Sequence, residues 1–312
     1  MTILLSGASG MLGSAIGDAL LRQGAVVIRL VRSEPRAPNE LHWNPAAGQL
    51  NLDRPNGRDQ ADRDPDGNET LTAAVHLSGA NVSSRRWTPD YKRQIGESRI
   101  GTTEVLAQAL ARMNHPPEVL VAASATGFYG NRGDEIVDED SPAGEGYFPQ
   151  LCQEWEAAAK PATEAGIRVV HLRFGVVIGR DGGVLAKLAT LFRLGLGGRL
   201  GNGRQWMSWV SETDAVAAAL FAMENPTLSG PLNVTAPQPV TNAEFTRQLA
   251  RTLHRPAFLH APAFALRLAF GEMADEALLA STRVIPKRLP AAGFAFKHPT
   301  LSSALTKAFQ PS

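Results

Sequence analysis

Three glycines near the N-terminus have the spacing that binds a pyrophosphate. Gly7, Gly10 and Gly13 directly follow an apolar run at residues 3–5 and open an amphipathic stretch at residues 11–22. Glycine lets a backbone turn tightly and approach a phosphate closely, while the N-terminus of a helix offers N–H donors and the positive end of the helix dipole. A glycine triplet between a strand and a helix therefore predicts a dinucleotide-binding turn.

The end of the second predicted strand indicates which nicotinamide cofactor this turn would hold. Sites for NAD usually carry an acidic residue there, which accepts hydrogen bonds from the ribose 2′-hydroxyl. This chain has Arg32 and Ser33 at that point. A guanidinium binds a 2′-phosphate through two parallel hydrogen bonds, so NADP(H) is favoured. Glu34 is an opposing signal, and a solvated surface arginine is the alternative interpretation of Arg32.

A parallel sheet would position the glycine turn and Arg32, and the hydrophobic pattern of the sequence predicts one. Strand-length apolar runs alternate with amphipathic helical segments, which predicts an α/β protein with an NAD(P)-binding Rossmann fold and a doubly wound parallel sheet. We expect residues 1–236 to form this domain, with the glycine-rich segment 180–210 contributing to a substrate cleft. Residues 237–312 are rich in proline and short helices and are expected to form a smaller C-terminal lobe. The strongly polar residues 53–69 are expected to form a solvated loop.

Composition excludes several functional classes. The formal net charge is +1, so no electrostatic field favours nucleic acid or an anionic membrane as a partner. Cys152 is the single cysteine, which excludes an intramolecular disulfide and a cysteine-based metal site. No apolar run reaches the roughly 20 residues that span a bilayer, and the N-terminus lacks the pattern of a signal peptide. We therefore expect a cytoplasmic protein that holds no metal.

Several longer segments carry a resemblance to a known family. They are "LSGANVSSRRWTPDYKRQIGESRIGT", "SATGFYGNRGDE", "CQEWEAAA", "LRFGVVIG", "GLGGRLGNGRQWMSWV", "GPLNVTAPQPVTNAEF" and "RLPAAGFAFKHP". Together with the glycine spacing, they resemble the atypical extended short-chain dehydrogenase/reductases, in the group called "epimerase family protein". The resemblance runs nearly end to end. It implies a Rossmann fold, NADP(H) and a small-molecule substrate of undefined identity, and it leaves a homodimer open.

The resemblance also implies roles for individual residues. Leu77, Ser78 and Gly79 would pass beneath the nicotinamide half of the cofactor, residues 173–176 would approach its carboxamide, and Ser124 would bind a substrate oxygen. The pattern and the resemblance indicate Gly7, Ser9, Gly10, Met11, Leu12, Gly13 and Arg32 as cofactor-binding residues, and the resemblance alone adds Leu77, Ser78, Gly79, Arg173, Gly175 and Val176.

One expected pair of residues is missing. In the superfamily, a tyrosine acts as general acid/base and a lysine one helical turn later lowers its pKa. Here the two positions align with Phe148 and Cys152, and a shift by one residue gives Tyr147 and Leu151. Neither register contains the lysine. Lys160 lies too far along the helix to replace it.

Three other residues are candidates to replace this pair. Tyr129 would present a phenol close to Ser124, and its alternative role is packing. Cys152 would act as a thiol nucleophile, although single cysteines are usually buried. Lys92 would supply the missing cation, although an exposed helix lysine is the simpler interpretation. Ser124 and Tyr129 are therefore the predicted catalytic residues.

A polar and aromatic set of residues falls in segments predicted to be loops near the cleft. Arginine and tryptophan together suit an anionic or planar ligand, through paired hydrogen bonds and stacking. The alternative is that the tryptophans close the interface between the lobes and the arginines are solvated. The predicted cleft residues are Arg86, Trp87, Trp206 and Trp209, with Arg85 and Arg204 as neighbours.

Two functions fit these observations. The first is an NADP(H)-dependent oxidoreductase or epimerase with a nonstandard acid, in which Ser124 and Tyr129 lie nearest the chemistry. The second is an NADPH-binding sensor or regulatory protein that does not turn over. The glycine turn and Arg32 serve both. The missing tyrosine–lysine pair favours the second, whereas Ser124, Tyr129 and the tryptophan-rich loop favour the first.

Overall fold

Strands and helices alternate along most of the described chain. A computed structural model describes residues 1–52, 71–180 and 182–310, so the predicted loop at residues 53–69 lies outside the described residues. Within these ranges, the strands are β1 (Thr2–Ser6), β2 (Val26–Val31), β3 (Glu40–His42), β4 (Ala73–His76), β5 (Val119–Ala125), β6 (Ile136–Val137), β7 (Arg168–Phe174), β8 (Val176–Ile178), β9 (Gly198–Leu200), β10 (Trp206–Met207), β11 (Trp209–Ser211), β12 (Gly230–Val234), β13 (Val240–Thr241), β14 (Leu259–Ala261) and β15 (Arg283–Val284). The α-helices are α1 (Met11–Arg22), α2 (Pro89–Glu97), α3 (Ile100–Ala111), α4 (Tyr147–Ala157), α5 (Lys160–Glu164), α6 (Gly183–Arg193), α7 (Glu212–Glu224), α8 (Asn242–Leu253), α9 (Ala263–Phe270), α10 (Arg288–Ala291) and α11 (Leu301–Phe309).

Seven strands form one sheet, in the order β12-β7-β5-β4-β1-β2-β3. Every pair in it is parallel; for example, Leu4 of β1 lies between Ile28 of β2 and Ala74 of β4. From β1 the chain proceeds outward to β2 and β3, and then returns to β4 on the other side. Ligands of open parallel sheets bind at the carboxyl ends of the strands where the order reverses in this way. The predicted doubly wound Rossmann fold is confirmed.

The sheet is buried on both faces. Successive side chains of a strand point to opposite sides, so one strand contributes to two cores. Ile3 and Leu5 pack into one core with α1 and α7, whereas Leu4 packs into a second core with α3 and α5. All three side chains are essentially inaccessible to solvent. The apolar run that predicted a buried strand therefore supplies both layers.

The C-terminal segment adds short strands and a third core to this sheet domain. Strand β13 pairs with β10, β14 with β9 and β15 with β6. Trp209, Phe245 and Leu305 share a buried cluster between α8, α11 and the end of the sheet domain. The domain boundary at residue 236 stays a prediction.

Buried carboxylates attach the C-terminal segment to the sheet domain. Glu139 accepts hydrogen bonds from the backbone N–H groups of Lys287 (3.0 Å) and Arg288 (3.3 Å). Asp214, in the first turn of α7, accepts from the backbone N–H groups of residues 297 and 298 at 2.7 and 2.9 Å. Carboxylates that accept backbone hydrogen bonds are held strongly, so these two residues fix the path of the chain between Lys287 and His298.

Two kinds of feature are absent from the part of the chain that the structure describes. None of its helices is both long enough and apolar enough to cross a membrane. None of its His, Cys, Asp and Glu side chains gather in a group of three that could hold a metal ion.

Candidate functional site

The glycine turn has the conformation that its sequence predicts. Gly7 has a φ of +72°, and a Cβ there would lie 2.7 Å from the carbonyl carbon and oxygen of Leu77. A Cβ at Gly13 would overlap the carbonyl oxygen of Gly7. Both positions therefore need glycine, the first for its left-handed backbone and both for the close approach. Gly10 closes the turn by donating its N–H to the Gly7 carbonyl oxygen at 3.0 Å.

The first turn of α1 has donors for an anion. Helix α1 begins at Met11 after Gly10, and no side chain caps it. The N–H groups of its first turn thus lack the side-chain acceptor that closes most helix starts. Ser9 and Gly10 are exposed at this point, whereas Met11 and Leu12 are half-buried and Gly13 is buried.

Arg32 lies at the carboxyl end of β2, exposed to solvent. Within the described residues its guanidinium has no carboxylate partner. Glu34 is also exposed and does not pair with it. An unpaired guanidinium beyond the glycine turn is placed to receive a second anionic group of the same ligand. The glycine turn, the open helix start and Arg32 together fit a dinucleotide with a 2′-phosphate.

The segment after β4 continues the groove away from the glycine turn. Leu77 donates its N–H to the Ser6 carbonyl oxygen at 3.3 Å, while Ser78 is half-buried and Gly79 is exposed. Arg99, which directly precedes α3, reaches back to this segment and donates from Nη2 to the Ala80 carbonyl oxygen at 2.9 Å.

A buried polar cluster lies at the carboxyl ends of β5, β7 and β12. It consists of Ser124, Glu156, Arg173, Tyr129 and Asn233. The Ser124 hydroxyl donates to Glu156 Oε1 at 2.7 Å, and Arg173 donates to both carboxylate oxygens of Glu156 at 2.7 and 2.8 Å. Burial by itself would lower the pKa of Arg173, but the paired Glu156 carboxylate raises it above its ordinary value. Both side chains of this ion pair are largely shielded from solvent.

Tyr129 lies at the inner end of this cluster. Its hydroxyl donates to Asn233 Oδ1 at 2.8 Å and accepts from Arg173 Nη1 at 3.0 Å. The side chain has no exposed surface, and burial raises the pKa of its phenol. The prediction that Tyr129 presents a phenol to an open pocket is therefore wrong. Arg173 is a second correction, because its side chain binds Glu156 and Tyr129 instead of facing a cofactor groove.

The segment after β7 also turns inward. Gly175 donates its N–H to Val234 O at 3.1 Å, and a Cβ on Gly175 would lie 2.7 Å from Ser208 O. Val176 begins β8 and donates to the same Ser208 oxygen at 2.8 Å. Close packing against β11 and β12 explains the glycine at position 175.

Helix α4 carries Phe148 and Cys152, which occupy the positions of the missing tyrosine and lysine. Both lie beside the chain that follows Ser124. A Cβ on Gly127 would lie 3.2 Å from Phe148 Cβ, and Cys152 Sγ lies 3.8 Å from Ala125 O. Burial raises the pKa of Cys152 to about 12, so its thiol stays protonated and is a poor nucleophile. The sequence of α4, YFPQLCQEWEA, contains no lysine or arginine. The two positions of the missing pair on α4 therefore offer no acid/base and no cation.

Neighbouring residues fix α4 without supplying that cation. Glu276 accepts hydrogen bonds from the backbone N–H groups of Tyr147 and Phe148 at 3.2 and 3.1 Å, which caps the helix. Lys92 is paired with Glu272 at 2.8 Å. Tyr147 donates its hydroxyl to the Lys92 carbonyl oxygen, so this tyrosine also packs against α2.

The four predicted cleft residues do not come together. Trp209 is fully buried in the core with α8 and α11 and donates its indole N–H to Gln238 O, so its assignment to the cleft is wrong. Trp87 is 8 % exposed and packs edge-on against Phe148, so it packs against helix α4. Trp206 is half-buried and donates to Asp134.

The arginines of that set are on the surface. Arg85, Arg86 and Arg204 are all exposed. The guanidinium of Arg86 lies against Gly271, where a Cβ would be 3.2 Å from its Nε. Their role in the cleft stays a prediction.

Sequence analysis missed three residues of the site. Glu156, Asn233 and Arg99 make their contacts with residues that are far away in sequence. For Glu156 a signal existed, because it lies one helical turn after Cys152 and so shares the face of α4 that turns toward Ser124.

Comparisons with known proteins agree with this architecture. Residues 3–234 match the NAD dependent epimerase/dehydratase family, and residues 261–308 match a domain of unknown function. An epimerase family protein of Mycobacterium leprae is 45 % identical over 306 residues, covering 98 % of this chain and 95 % of the relative. The crystal structure of human epimerase family protein SDR39U1 with NADPH has a TM-score of 0.87 and 33 % identity, with 99 % of each chain covered. A Thermotoga maritima UDP-glucose 4-epimerase, at 18 % identity and a TM-score of 0.73, shares the fold.

Proposed function

The chain belongs to the NAD dependent epimerase/dehydratase family, and on that premise we propose that it binds NADP(H) at the glycine turn. The pyrophosphate would lie against residues 7–13 and the first turn of α1. The 2′-phosphate would be bound by Arg32. The observation that carries this proposal is the exposed, unpaired guanidinium of Arg32 beyond a turn that only glycine can form. A human relative with 33 % identity has been crystallised with NADPH, which supports the same choice of cofactor.

The reaction we propose is that of an oxidoreductase or epimerase acting on a small-molecule alcohol or carbonyl. The cofactor would supply and accept hydride. Ser124, at the carboxyl end of β5, would accept a hydrogen bond from a substrate hydroxyl while it donates its own proton to Glu156. Arg173 holds the Glu156 carboxylate in place for this contact. Proton transfer would thus use Ser124 and Glu156, which lies one helical turn after Cys152 on α4, in place of the tyrosine–lysine pair.

A second function has an observation in its favour. The two positions on α4 that align with the missing pair have no ionisable acid/base, because Phe148 is apolar and the Cys152 thiol is protonated. Tyr129 is fully buried. A protein that binds NADPH without turning over, as a sensor or regulator, needs none of these groups. It would retain the glycine turn and Arg32.

One experiment separates the two functions. Purified protein is loaded with NADPH or, in parallel, with NADP⁺, binding of NADPH is verified by nicotinamide fluorescence, and absorbance is followed with a panel of carbonyl compounds and sugar nucleotides. Because an epimerase restores its cofactor, products are also analysed by NMR. Oxidation of the cofactor or an inverted product establishes an enzyme, and the same assay on Ser124→Ala and Glu156→Gln tests the residues. Tight NADPH binding with no product from any compound supports the binding protein.

A further inference from the structure

Arg99 lies in a fixed position between the end of β4 and helix α4. Its Nη2 donates to Ala80 O at 2.9 Å and its Nη1 donates to Ile95 O at 3.2 Å. A Cβ on Gly79 would lie 3.1 Å from Arg99 Cζ and 3.3 and 3.4 Å from the two Nη atoms. On the other side, Cζ lies 5.2 Å from the ring centroid of Trp155. The guanidinium thus lies flat against the backbone at Gly79, a position that a β-carbon would crowd.

Among the residues that the structure describes, no carboxylate pairs with the charge of Arg99. Two other cations at this edge are paired, Arg173 with Glu156 and Lys92 with Glu272. The described residues that bind Arg99 are two backbone carbonyls and, at 3.5 Å, the Ser98 hydroxyl. Burial lowers the pKa of this guanidinium, although an arginine stays protonated near neutral pH. A half-buried charge without a counter-charge is costly, and such groups are concentrated at binding sites.

Part of the hydrogen-bonding capacity of Arg99 is free. A guanidinium has five N–H donors. Its bonds to Ile95, Ser98 and Ala80 use at most the two Nη1 hydrogens and one Nη2 hydrogen. The Nε–H and the second Nη2–H therefore remain for a ligand.

The position of Arg99 corresponds to one half of the proposed cofactor. Gly7 lies against Leu77, so the segment 77–80 leads away from the pyrophosphate turn toward Arg99. Arg32 marks the opposite, adenosine end, at β2. The group next to Gly79 would then be the nicotinamide ribose and its ring. That ring is positively charged when oxidised and uncharged when reduced.

We propose that Arg99 is the cation of the nicotinamide half of this site and makes it select the reduced cofactor. Its free N–H groups donate to ribose hydroxyls, which strengthens binding of both redox forms. Its fixed charge repels the oxidised ring, which weakens binding of that form alone. This inference rests on the proposed NADP(H) binding. It assigns to Arg99, the residue before α3, the positive charge that α4 lacks.

The test measures binding and needs no turnover. Wild type, Arg99→Gln and the matched control Arg93→Gln are titrated with NADPH, NADP⁺ and 2′,5′-ADP, a fragment that lacks the nicotinamide half. Arg93 is an exposed arginine of α2 paired with Asp90. For Arg99→Gln we expect NADPH to bind about tenfold more weakly, 2′,5′-ADP to stay within about twofold, and the preference for NADPH over NADP⁺ to fall several-fold. Arg93→Gln should match the wild type for all three ligands.

The outcomes separate this inference from the cofactor assignment. Equal weakening of NADPH and 2′,5′-ADP would mean that Arg99 only supports the fold, and an unchanged ratio of NADPH to NADP⁺ affinity would remove its role in redox selection. Either result overturns the inference while NADP(H) binding stands. A wild type that binds no NADPH overturns both.

A second variant keeps the test valid if Arg99→Gln does not fold. Arg99→Lys keeps the charge but loses the planar arrangement of donors. We expect it to bind NADPH more weakly, to bind 2′,5′-ADP normally and to keep the preference for NADPH over NADP⁺. Loss of that preference in a folded Arg99→Lys protein would contradict the role of the charge.

Discussion

Glu156 and Arg173 form a two-hydrogen-bond ion pair beneath the candidate site, with N–O distances of 2.7 and 2.8 Å. Their side chains are 13 % and 4 % exposed. Helix α4 supplies the carboxylate and β7 the guanidinium, so the pair joins a helix to the sheet directly behind Ser124. Arg173 also donates from Nη1 to the hydroxyl of the fully buried Tyr129.

Breaking this pair should destabilise the protein strongly. Glu156→Gln leaves the Arg173 charge buried without a counter-charge, and we expect the free energy of unfolding to fall by about 3–5 kcal/mol. Urea unfolding followed by circular dichroism measures the change. Glu164→Gln, which removes the exposed Lys160–Glu164 pair, is the control and should cost less than about 1 kcal/mol. Similar losses in the two variants would show that the pair at Glu156 is not buried as described.

The glycine at position 13 should be essential for the turn. A Cβ there would overlap the Gly7 carbonyl oxygen, so Gly13→Ala must displace the turn or α1. We expect NADPH affinity to drop by at least about tenfold and thermal stability to fall. Gly101→Ala is the matched control, because nothing lies within 4 Å of a Cβ at this position in α3. It should bind NADPH normally and gain up to about 1 kcal/mol of stability. Normal NADPH binding by Gly13→Ala would place the pyrophosphate elsewhere.

The single thiol should be inert in the folded protein. Burial raises the pKa of Cys152 to about 12, so the folded protein contains almost no thiolate at neutral pH. We expect negligible reaction with a disulfide reagent at pH 7, and no increase when the pH is raised to about 9. In denaturant, one thiol per chain should react. Rapid labelling of the native protein that increases with pH would contradict the burial of Cys152.

Stability should decrease as the pH falls below the ordinary range of histidine. His76 is fully buried, bonded to Ser6 Oγ at 2.6 Å, and burial lowers its pKa from 6.5 to about 4. The unfolded state therefore binds more protons than the folded state between pH 6.5 and 4. As the pH decreases through this window, the free energy of unfolding decreases by up to about 1.4 kcal/mol per pH unit. His76→Gln should have a shallower slope in the same window. His171, whose pKa burial also lowers, keeps part of the slope in that variant. Identical slopes for wild type and His76→Gln would contradict this assignment.

The parts of the fold that follow from local pattern could be predicted from the sequence. Residues 3–5 predicted a buried strand and Gly7, Gly10 and Gly13 a turn, because the apolar run and the glycine spacing are local properties. Helix α6 was not predicted, because residues 180–210 were interpreted only as a glycine-rich segment near the cleft, whereas Leu185, Ala189 and Phe192 form the buried face of a helix. Trp209 was placed in the cleft because its neighbours did not show that β11 pairs with β8 inside the protein.

The contacts that define the site could not be read from the sequence. Ser124 and Glu156 are separated by 32 residues, and Tyr129 and Asn233 by 104. Arg99 reaches Ala80 across 19 residues. Such pairs depend on which strands are neighbours and on how far each helix extends, and no local pattern encodes this. Tyr129 looked like an accessible phenol for this reason, although the sheet and the residues after β12 enclose it.

The most direct test of the account is a comparison of NADPH and NADH binding to the wild type and to Arg32→Gln. If Arg32 binds the 2′-phosphate, the wild type should prefer NADPH, and the variant should bind NADPH about 10 to 100 times more weakly while its affinity for NADH is unchanged. Arg36→Gln, a variant of the nearby exposed arginine, is the control and should match the wild type. Isothermal titration calorimetry gives all these constants. A wild type that binds NADH as tightly as NADPH, or an Arg32→Gln protein with an undiminished preference for NADPH, would contradict the account.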